Sequence, residues 1–137
     1  MGMGANLEVV RSIYAARGRG DFRGEVEWLH PDIEVQLIGG PDPGAASGLT
    51  ALTSAWREFL DAWENFRIDL QEIRVLDDER VLALIRRHGR GKVSGMEIGD
   101  LAGSEGADVL LIRDGKVVEL VIYWERSRAL ADLGLEE

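Results

Sequence analysis

The chain has 137 residues, 45% of them hydrophobic, no cysteine and a formal net charge of −9, a composition that predicts one folded domain over residues 1–137. Without cysteine the chain has no disulfide, no thiolate nucleophile and no cysteine-ligated metal, and it suits the cytoplasm. An acidic surface repels phosphate backbones and anionic lipids, and no apolar run approaches the roughly 20 residues of a membrane span, so neither nucleic acid nor a membrane is expected as a partner.

The first half of the chain is predicted to be mostly helical. Residues 1–5, with their doubled Met-Gly, are expected to be disordered or left over from cloning. Apolar residues then recur at helical spacing from Asn6 to Arg17 and from Asp21 to Leu29. The strongest helical pattern extends from Leu49 to Phe66, where leucines and aromatic residues follow one another at steps of one, three and four.

Alternating apolar and polar residues predict strands between and after these helices. The first strand spans Asp32 to Ile38 and is followed by a glycine-rich loop from Gly39 to Gly48. The later predicted elements are strands over Arg67–Leu76, Arg80–His88, Lys92–Ile98, Ala107–Arg113 and Lys116–Glu125, and a short helix over Arg126–Leu133. Helices followed by hairpin-connected strands predict an α+β fold. We expect a cone-shaped roll, in which a curved antiparallel sheet wraps around the N-terminal helices and the long aromatic helix.

Three motifs carry a resemblance to a known family: "GRGKVSG" (89–95), "RDGKVV" (113–118) and "ALADLGL" (129–135). With the order of the predicted elements, they resemble the SnoaL-like branch of the nuclear transport factor 2-like superfamily, which includes ketosteroid isomerases, polyketide cyclases and epoxide hydrolases. The resemblance implies a cone with a hydrophobic pocket, and a homodimer through the outer sheet face, helped here by Val121 and Tyr123. It assigns no reaction, because one fold carries many chemistries.

The residue set of the ketosteroid isomerases is mostly missing. In those enzymes a tyrosine of the first helix, an aspartate base on the first strand and a protonated aspartic acid before the hairpin act together. The base position falls on Leu37, and the tyrosine position falls on Ile13, next to Tyr14, which a helix points about 100° away. Only the third position is filled, by Asp108, so the isomerase reaction is expected to be absent or very weak.

The residue set of the epoxide hydrolases is incomplete as well. Its pattern resembles an Asp–Arg–Asp set on the middle strands of the sheet. Arg80 matches the arginine, but Leu82 and Ile122 occupy the two acid positions. Without a carboxylate to activate water, that mechanism fails.

The register of the last hairpin decides which side chains enter the pocket. A three-residue loop from Arg113 to Gly115 would place Asp108 on the same face as Trp124, whereas a two-residue turn would break this register. Superposition on the isomerase pattern turns a row of the preceding strand inward: Leu82, Leu84, Arg86 and His88. The residues expected to bind the substrate are Tyr14, Leu37, Trp56, Phe59, Leu84, Leu110, Leu120 and Trp124.

Three polar residues, Asp108, His88 and Arg86, are the predicted catalytic group. Asp108 or His88 would act as general acid or base, and Arg86 would orient the substrate or stabilise developing negative charge. The alternatives are an exposed strand end or a structural ion pair with Arg86 for Asp108, and solvated positions for Arg86 and His88. No metal or cofactor is predicted, because the two histidines are far apart and no acidic residues cluster with them.

Two classes of function are therefore open. The chain is an isomerase, cyclase or dehydratase acting on a small carbonyl compound, or it is a binding module that holds an apolar ligand without chemistry. Both classes predict a small apolar molecule as the partner. Loss of turnover on substitution of Asp108 or His88 would separate them.

Overall fold

The computed structural model describes residues 3–23, 26–40, 43–98 and 104–135. The elements are, in chain order, helix α1 (Met3–Gly18), a 3₁₀ turn (Val26–Trp28), strands β1 (Leu29–Ile38) and β2 (Gly44–Ser47), helix α2 (Leu49–Asp61), strands β3 (Trp63–Val75), β4 (Arg80–Gly91), β5 (Glu105–Arg113) and β6 (Lys116–Tyr123), and helix α3 (Arg126–Leu133). No helix within the described ranges is long and apolar enough to cross a membrane.

The six strands form one curved sheet in the order β2-β1-β6-β5-β4-β3. Helices α1 and α2 lie against one face, which we call the inner face, and α3 lies against the opposite, outer face. The predicted α+β class is confirmed. The predicted antiparallel pairing does not hold at one pair, because β1 runs parallel to β6. Strand β1 reaches the middle of the sheet from the helical segment and not through a hairpin, so its direction is not tied to that of β6.

Two of the predicted helices are shorter than the apolar spacing indicated. In the described part of the segment Asp21–Leu29, which excludes residues 24–25, the helical element is the 3₁₀ turn before β1 begins. Helix α2 ends at Asp61, and Trp63 and Phe66 lie on β3 instead. A register shift between β3 and β4 at this point, together with a φ of 53° at Asn65, turns both aromatic rings toward the helix despite their odd spacing along a strand.

Three further predictions are corrected in the connecting segments. The predicted strand Lys92–Ile98 is a turn followed by a single bridge between Arg90 and Glu97. The loop Gly39–Gly48 contains strand β2, and residues 41–42 of that loop lie outside the described ranges. Helix α1 already begins at Met3, so residues 3–5 are helical and not disordered, and residues 1–2 lie outside the described ranges.

The β5–β6 hairpin places its side chains on the predicted faces, but with a different pairing from the predicted one, in which Ile112 paired with Lys116. Its turn has two residues, Asp114 and Gly115, both with positive φ, at 52° and 76°. Strand β6 then contains one extra residue, because the register shifts by one position in a β-bulge at Val118. The resulting pairs are Ile112–Val117, Leu110–Leu120 and Asp108–Ile122. The bulge thus compensates for the shorter turn and returns Asp108 to the inner face.

Strand β4 has the opposite orientation to the one predicted. Asp108 pairs with Ala83, so Ala83 and Ile85 share the inner face with it. Leu82 and Leu84 pack instead in the outer cluster beneath α3. Both faces of β4 are covered, one by the core and one by α3, so its apolar residues follow each other without alternation. The sequence pattern of β4 therefore does not show which of its two sets of alternating residues faces the inner side of the sheet.

Candidate active site

A cavity of about 330 Å³ lies between the inner face of the sheet and helix α2. This volume is within the range of small-molecule sites. Most of its walls are apolar, formed by Val35, Leu37, Leu52, Ala55, Trp56, Phe59, Phe66, Ile68, Ile85, Ile122 and Trp124 together with residues of and next to β2. Its charged side chains among the described residues are Arg17, Arg87 and Asp108. An apolar site with a few polar groups is suited to hold a small molecule in one orientation.

Asp108 is the carboxylate of this cavity. It lies within β5, is 1% exposed, and is not a frayed strand end. The Tyr14 hydroxyl donates a hydrogen bond to Oδ2, and Nη1 of Arg17 lies 3.4 Å from the same oxygen. The other oxygen, Oδ1, is buried and has no hydrogen-bond partner among the described residues. One oxygen is therefore held by the protein, whereas the other can accept a proton or a hydrogen bond.

Both donors to Asp108 come from α1. Tyr14 and Arg17 are three residues apart and so lie on one face of the helix, next to the buried Ile13. The Arg17 guanidinium is 5.1 Å from the Tyr14 ring centre and 5.4 Å from that of Trp56. Tyr14 was expected to lie about 100° around the helix from the isomerase tyrosine position and to bind the substrate, but it is not among the cavity walls, and its hydroxyl contacts Asp108. Sequence reasoning missed Arg17, although its spacing from Tyr14 placed it on the buried face.

Arg87 is the second cation of the cavity, and sequence reasoning missed it as well. Its Nη1 donates to the carbonyl of Trp124 at 2.8 Å, and its guanidinium lies 4.2 Å from the centre of the Trp124 ring. A Cβ at Gly106 would come within 2.5 Å of Nη1, so the missing side chain of this glycine makes room for the guanidinium. Burial lowers the pKa of Arg87, and the charge of Asp108 acts in the opposite direction. Because a guanidinium is not deprotonated in proteins, the group stays charged.

Five of the predicted site residues line the cavity: Leu37, Trp56, Phe59, Asp108 and Trp124. Three others are buried close to it without forming its walls, namely Tyr14, Leu110 and Leu120. The structure thus brings the predicted acid and most of the predicted apolar walls together.

Leu84, Arg86 and His88 do not belong to this group. They lie in the row of β4 that faces outward, because the strand register is shifted by one residue from the predicted one. His88 is half-buried, with Nε2 2.9 Å from Oδ2 of Asp69, and Leu84 packs in the outer cluster. Arg87 occupies the position that was predicted for Arg86. Within the described ranges, no three histidine, aspartate or glutamate residues are grouped as metal ligands would be.

The cone-shaped α+β architecture with an interior cavity defines a protein of the nuclear transport factor 2-like fold. The model of the SnoaL-like domain family matches residues 10–120, and the chain belongs to this family. No curated protein matches the sequence significantly.

Solved structures support the fold. A nuclear transport factor 2-like protein of unknown function from Burkholderia pseudomallei is 20% identical, with a TM-score of 0.74 over 94% of this chain and 97% of that chain. A protein from Xanthomonas campestris, provisionally named a polyketide cyclase, is 23% identical, with a TM-score of 0.67 over 95% and 97%. A protein from Catenulispora acidiphila with a ketosteroid isomerase-like fold, in complex with trimethylamine, is 15% identical, with a TM-score of 0.70 over 94% of each chain. At these identities the similarity shows the fold alone.

Proposed function

We propose that the protein is an enzyme that moves a proton on a carbon atom next to a carbonyl group of a small, mainly apolar molecule. The reaction class is isomerisation, cyclisation or dehydration, with Asp108 as the general acid and base. The provisional name of the Xanthomonas campestris neighbour belongs to the same class, since cyclisation of a ketone begins with the removal of such a proton.

One observation carries this proposal: a buried carboxylate in an apolar cavity has one oxygen without a hydrogen-bond partner among the described residues. A buried acceptor of this kind is unfavourable in a structural role, because proteins usually satisfy such atoms. It is favourable in a catalytic role, since Oδ1 can take up a proton from a bound molecule. Tyr14 and Arg17 fix the other oxygen, so the carboxylate keeps its orientation during the reaction.

The reaction would proceed as follows. Oδ1 of Asp108 removes a proton from the carbon next to the carbonyl group, and the electrons of the broken C–H bond form an enolate. Negative charge develops on the carbonyl oxygen, and the buried guanidinium groups of Arg17 and Arg87 stabilise it electrostatically. Asp108 then returns the proton to another carbon in an isomerisation. In a cyclisation, the enolate carbon bonds to a second carbonyl carbon of the same molecule, the π electrons of that C=O bond move to its oxygen, and Asp108 returns the proton to this oxygen. In a dehydration, the proton goes to a departing hydroxyl group.

Deuterium exchange measures the first step without knowledge of the natural substrate. The two-ring ketone 2-tetralone is incubated with the protein in D₂O, and NMR follows the loss of the hydrogens next to the carbonyl group. We expect exchange above the rate in buffer, and we expect Asp108→Asn to reduce this acceleration by about 10²–10⁴-fold.

His88→Gln is the matched control, because this acid–base candidate lies on the outward row of the same sheet. It should keep the wild-type rate. An Asp108→Asn variant that is folded and exchanges as fast as the wild type would disprove the role of Asp108. Binding of 2-tetralone without any exchange would favour a binding module for this class of molecule.

The assembly and location are also proposed. We infer that residues 1–137 form one domain, that the chain forms a homodimer through the outer sheet face, and that it acts in the cytoplasm. A shallow indentation of about 140 Å³ on that face, with Val109, Val121 and Leu133 among its walls, supports the contact. Tyr123, which was expected to take part, is buried at 7% exposure, and its pKa is raised by burial and by the charge of Asp132. Val121 is therefore the better contact residue. The absence of cysteine supports the location.

A further inference from the structure

The indole N–H of Trp56 is, besides Oδ1 of Asp108, a second polar atom at the cavity without a hydrogen-bond partner among the described residues. Trp56 lies on α2, in the part of the helix that lines the cavity. Its Nε1 is buried and has no hydrogen-bond partner among the described residues. An indole N–H can only donate, and a buried one usually finds an acceptor. A ligand that fills the cavity is the natural source of the missing acceptor.

Among the described residues, the groups in ring contact with the indole cannot accept its hydrogen bond. The ring of Phe22 lies 5.0 Å away and that of Phe59 lies 5.9 Å away, and both are hydrocarbon. The third neighbour is the guanidinium of Arg17, 5.4 Å from the ring centre, which is itself a donor. Aromatic packing and the cation hold the ring in place without satisfying its N–H.

Arg17 lies next to both side chains that carry an atom without a partner among the described residues, namely Nε1 of Trp56 and Oδ1 of Asp108. Its guanidinium lies against the Trp56 ring and, through Nη1, 3.4 Å from Oδ2 of Asp108. The indole and the carboxylate are therefore both neighbours of one side chain at the same cavity. Among the described residues, the indole N–H of Trp56 is an unused donor, and Oδ1 of Asp108 is an unused acceptor. A molecule with a carbonyl oxygen next to an acidic C–H group would complement both.

We propose that Trp56 is the residue that recognises the carbonyl oxygen of the ligand, by donating a hydrogen bond from Nε1 after a small rotation of the indole ring. The inference rests on the proposed function. It adds a hydrogen-bond donor to the carbonyl oxygen, which the proposed reaction otherwise stabilises only through the charges of Arg17 and Arg87. As Oδ1 of Asp108 takes the proton from carbon, the electrons of the C–H bond shift toward the carbonyl oxygen. The bond from the indole strengthens as that oxygen becomes negative.

Two ligands that differ only in the carbonyl group measure the contribution of this hydrogen bond to affinity. 2-Tetralone carries the carbonyl group, and tetralin has the same two rings without it. Calorimetric titration gives the ratio of their dissociation constants for each protein. Trp56→Phe keeps an aromatic ring but loses the donor, so the preference for 2-tetralone should fall by about 2- to 10-fold. The affinity for tetralin should stay close to that of the wild type.

Trp63→Phe is the matched control. Trp63 belongs to the same aromatic cluster, 6.1 Å from Phe59, but is not among the cavity walls. Its substitution should leave the preference unchanged. A Trp56→Phe variant with an unchanged ratio, or a wild type that does not bind 2-tetralone at millimolar concentration, would overturn the inference.

NMR of the ¹⁵N-labelled wild-type protein tests the same bond without a substitution at Trp56. The indole N–H signal of Trp56 should move on addition of 2-tetralone and much less on addition of tetralin, and the same signal of Trp63 should not respond to the carbonyl group. Equal responses of Trp56 to both ligands would overturn the inference. These are binding measurements, so the inference can fail while the proposed function holds: exchange that depends on Asp108, with no role of Trp56 in binding, would leave the proposed function intact.

Discussion

The two carboxylate oxygens of Asp108 have different surroundings, and the proposed chemistry depends on this difference. Oδ2 accepts from the Tyr14 hydroxyl and contacts Arg17, whereas Oδ1 has no partner among the described residues. A donor that held both oxygens would leave no site for a substrate proton. At the scale of single residues, Tyr14 and Arg17 are therefore positioning residues, and Asp108 is the reacting one.

Tyr14→Phe tests the contact at Oδ2. The change removes a buried hydrogen bond to a charged group, so the free energy of unfolding should fall by about 1.5–3 kcal/mol. Urea denaturation at neutral pH measures this loss.

A double-mutant cycle with Asp108→Asn provides the control. If the two side chains interact, the effect of Tyr14→Phe should be much smaller in the Asp108→Asn background. Equal effects in both backgrounds would show that the tyrosine contributes only through its packing.

At the scale of the elements, the β5–β6 hairpin shows how turn and strand together set a register. The turn at Asp114 and Gly115 requires positive φ at both positions, which is typical of two-residue hairpin turns. The bulge at Val118 adds the residue that the short turn lacks. Without this bulge, the side chains that follow it would change face. Ile122 on β6 and Trp124 just after β6, both at the cavity, are among them.

Gly115→Ala tests the turn. Because Gly115 has a φ of 76°, a Cβ there should cost about 1–2 kcal/mol of unfolding free energy. Thermal and urea denaturation measure the loss. The control is Asp114→Asn, which should have little effect because asparagine tolerates positive φ. An alanine variant as stable as the wild type would mean that the turn adopts another conformation in solution.

At the scale of the whole molecule, the sheet has apolar residues on both faces. The inner face and the helices α1 and α2 enclose the core and the cavity, and α3 covers part of the outer face. Val121 lies beside the covered part and is half-buried. An apolar surface next to a helix that covers only part of the face is suited to contact a second copy of the chain.

Light scattering tests the homodimer. We expect a mass twice that of the 15.1 kDa chain at micromolar concentration. Val121→Glu should shift the mass toward the monomer, because a charge in an apolar contact is unfavourable. Val93→Glu is the control, since Val93 is fully exposed in the turn after β4 and should not affect the mass. A wild-type mass of one chain would remove the proposal.

The sequence pattern alone was sufficient for the fold class, the order of the main elements and the apolar character of the helix that lines the cavity. Helix spacing and strand alternation are local properties, so they can be recognised without knowledge of the partner surfaces. The acidic residue at position 108 was also recognised, because its strand and its place before the hairpin follow from the chain order. Its neighbour Trp124 was placed on the same face, although the predicted loop differed from the real turn.

Only the tertiary structure decided which row of β4 faces the cavity and which residues surround Asp108. Both faces of β4 are buried, so its run of apolar residues was compatible with either orientation, and the prediction of Arg86 and His88 was wrong by one residue. The contact of Tyr14 and Arg17 with Asp108 joins a helix to a strand more than 90 positions away. Such contacts depend on the packing angle of α1 on the sheet, which side-chain volumes across the whole core determine and no local pattern contains.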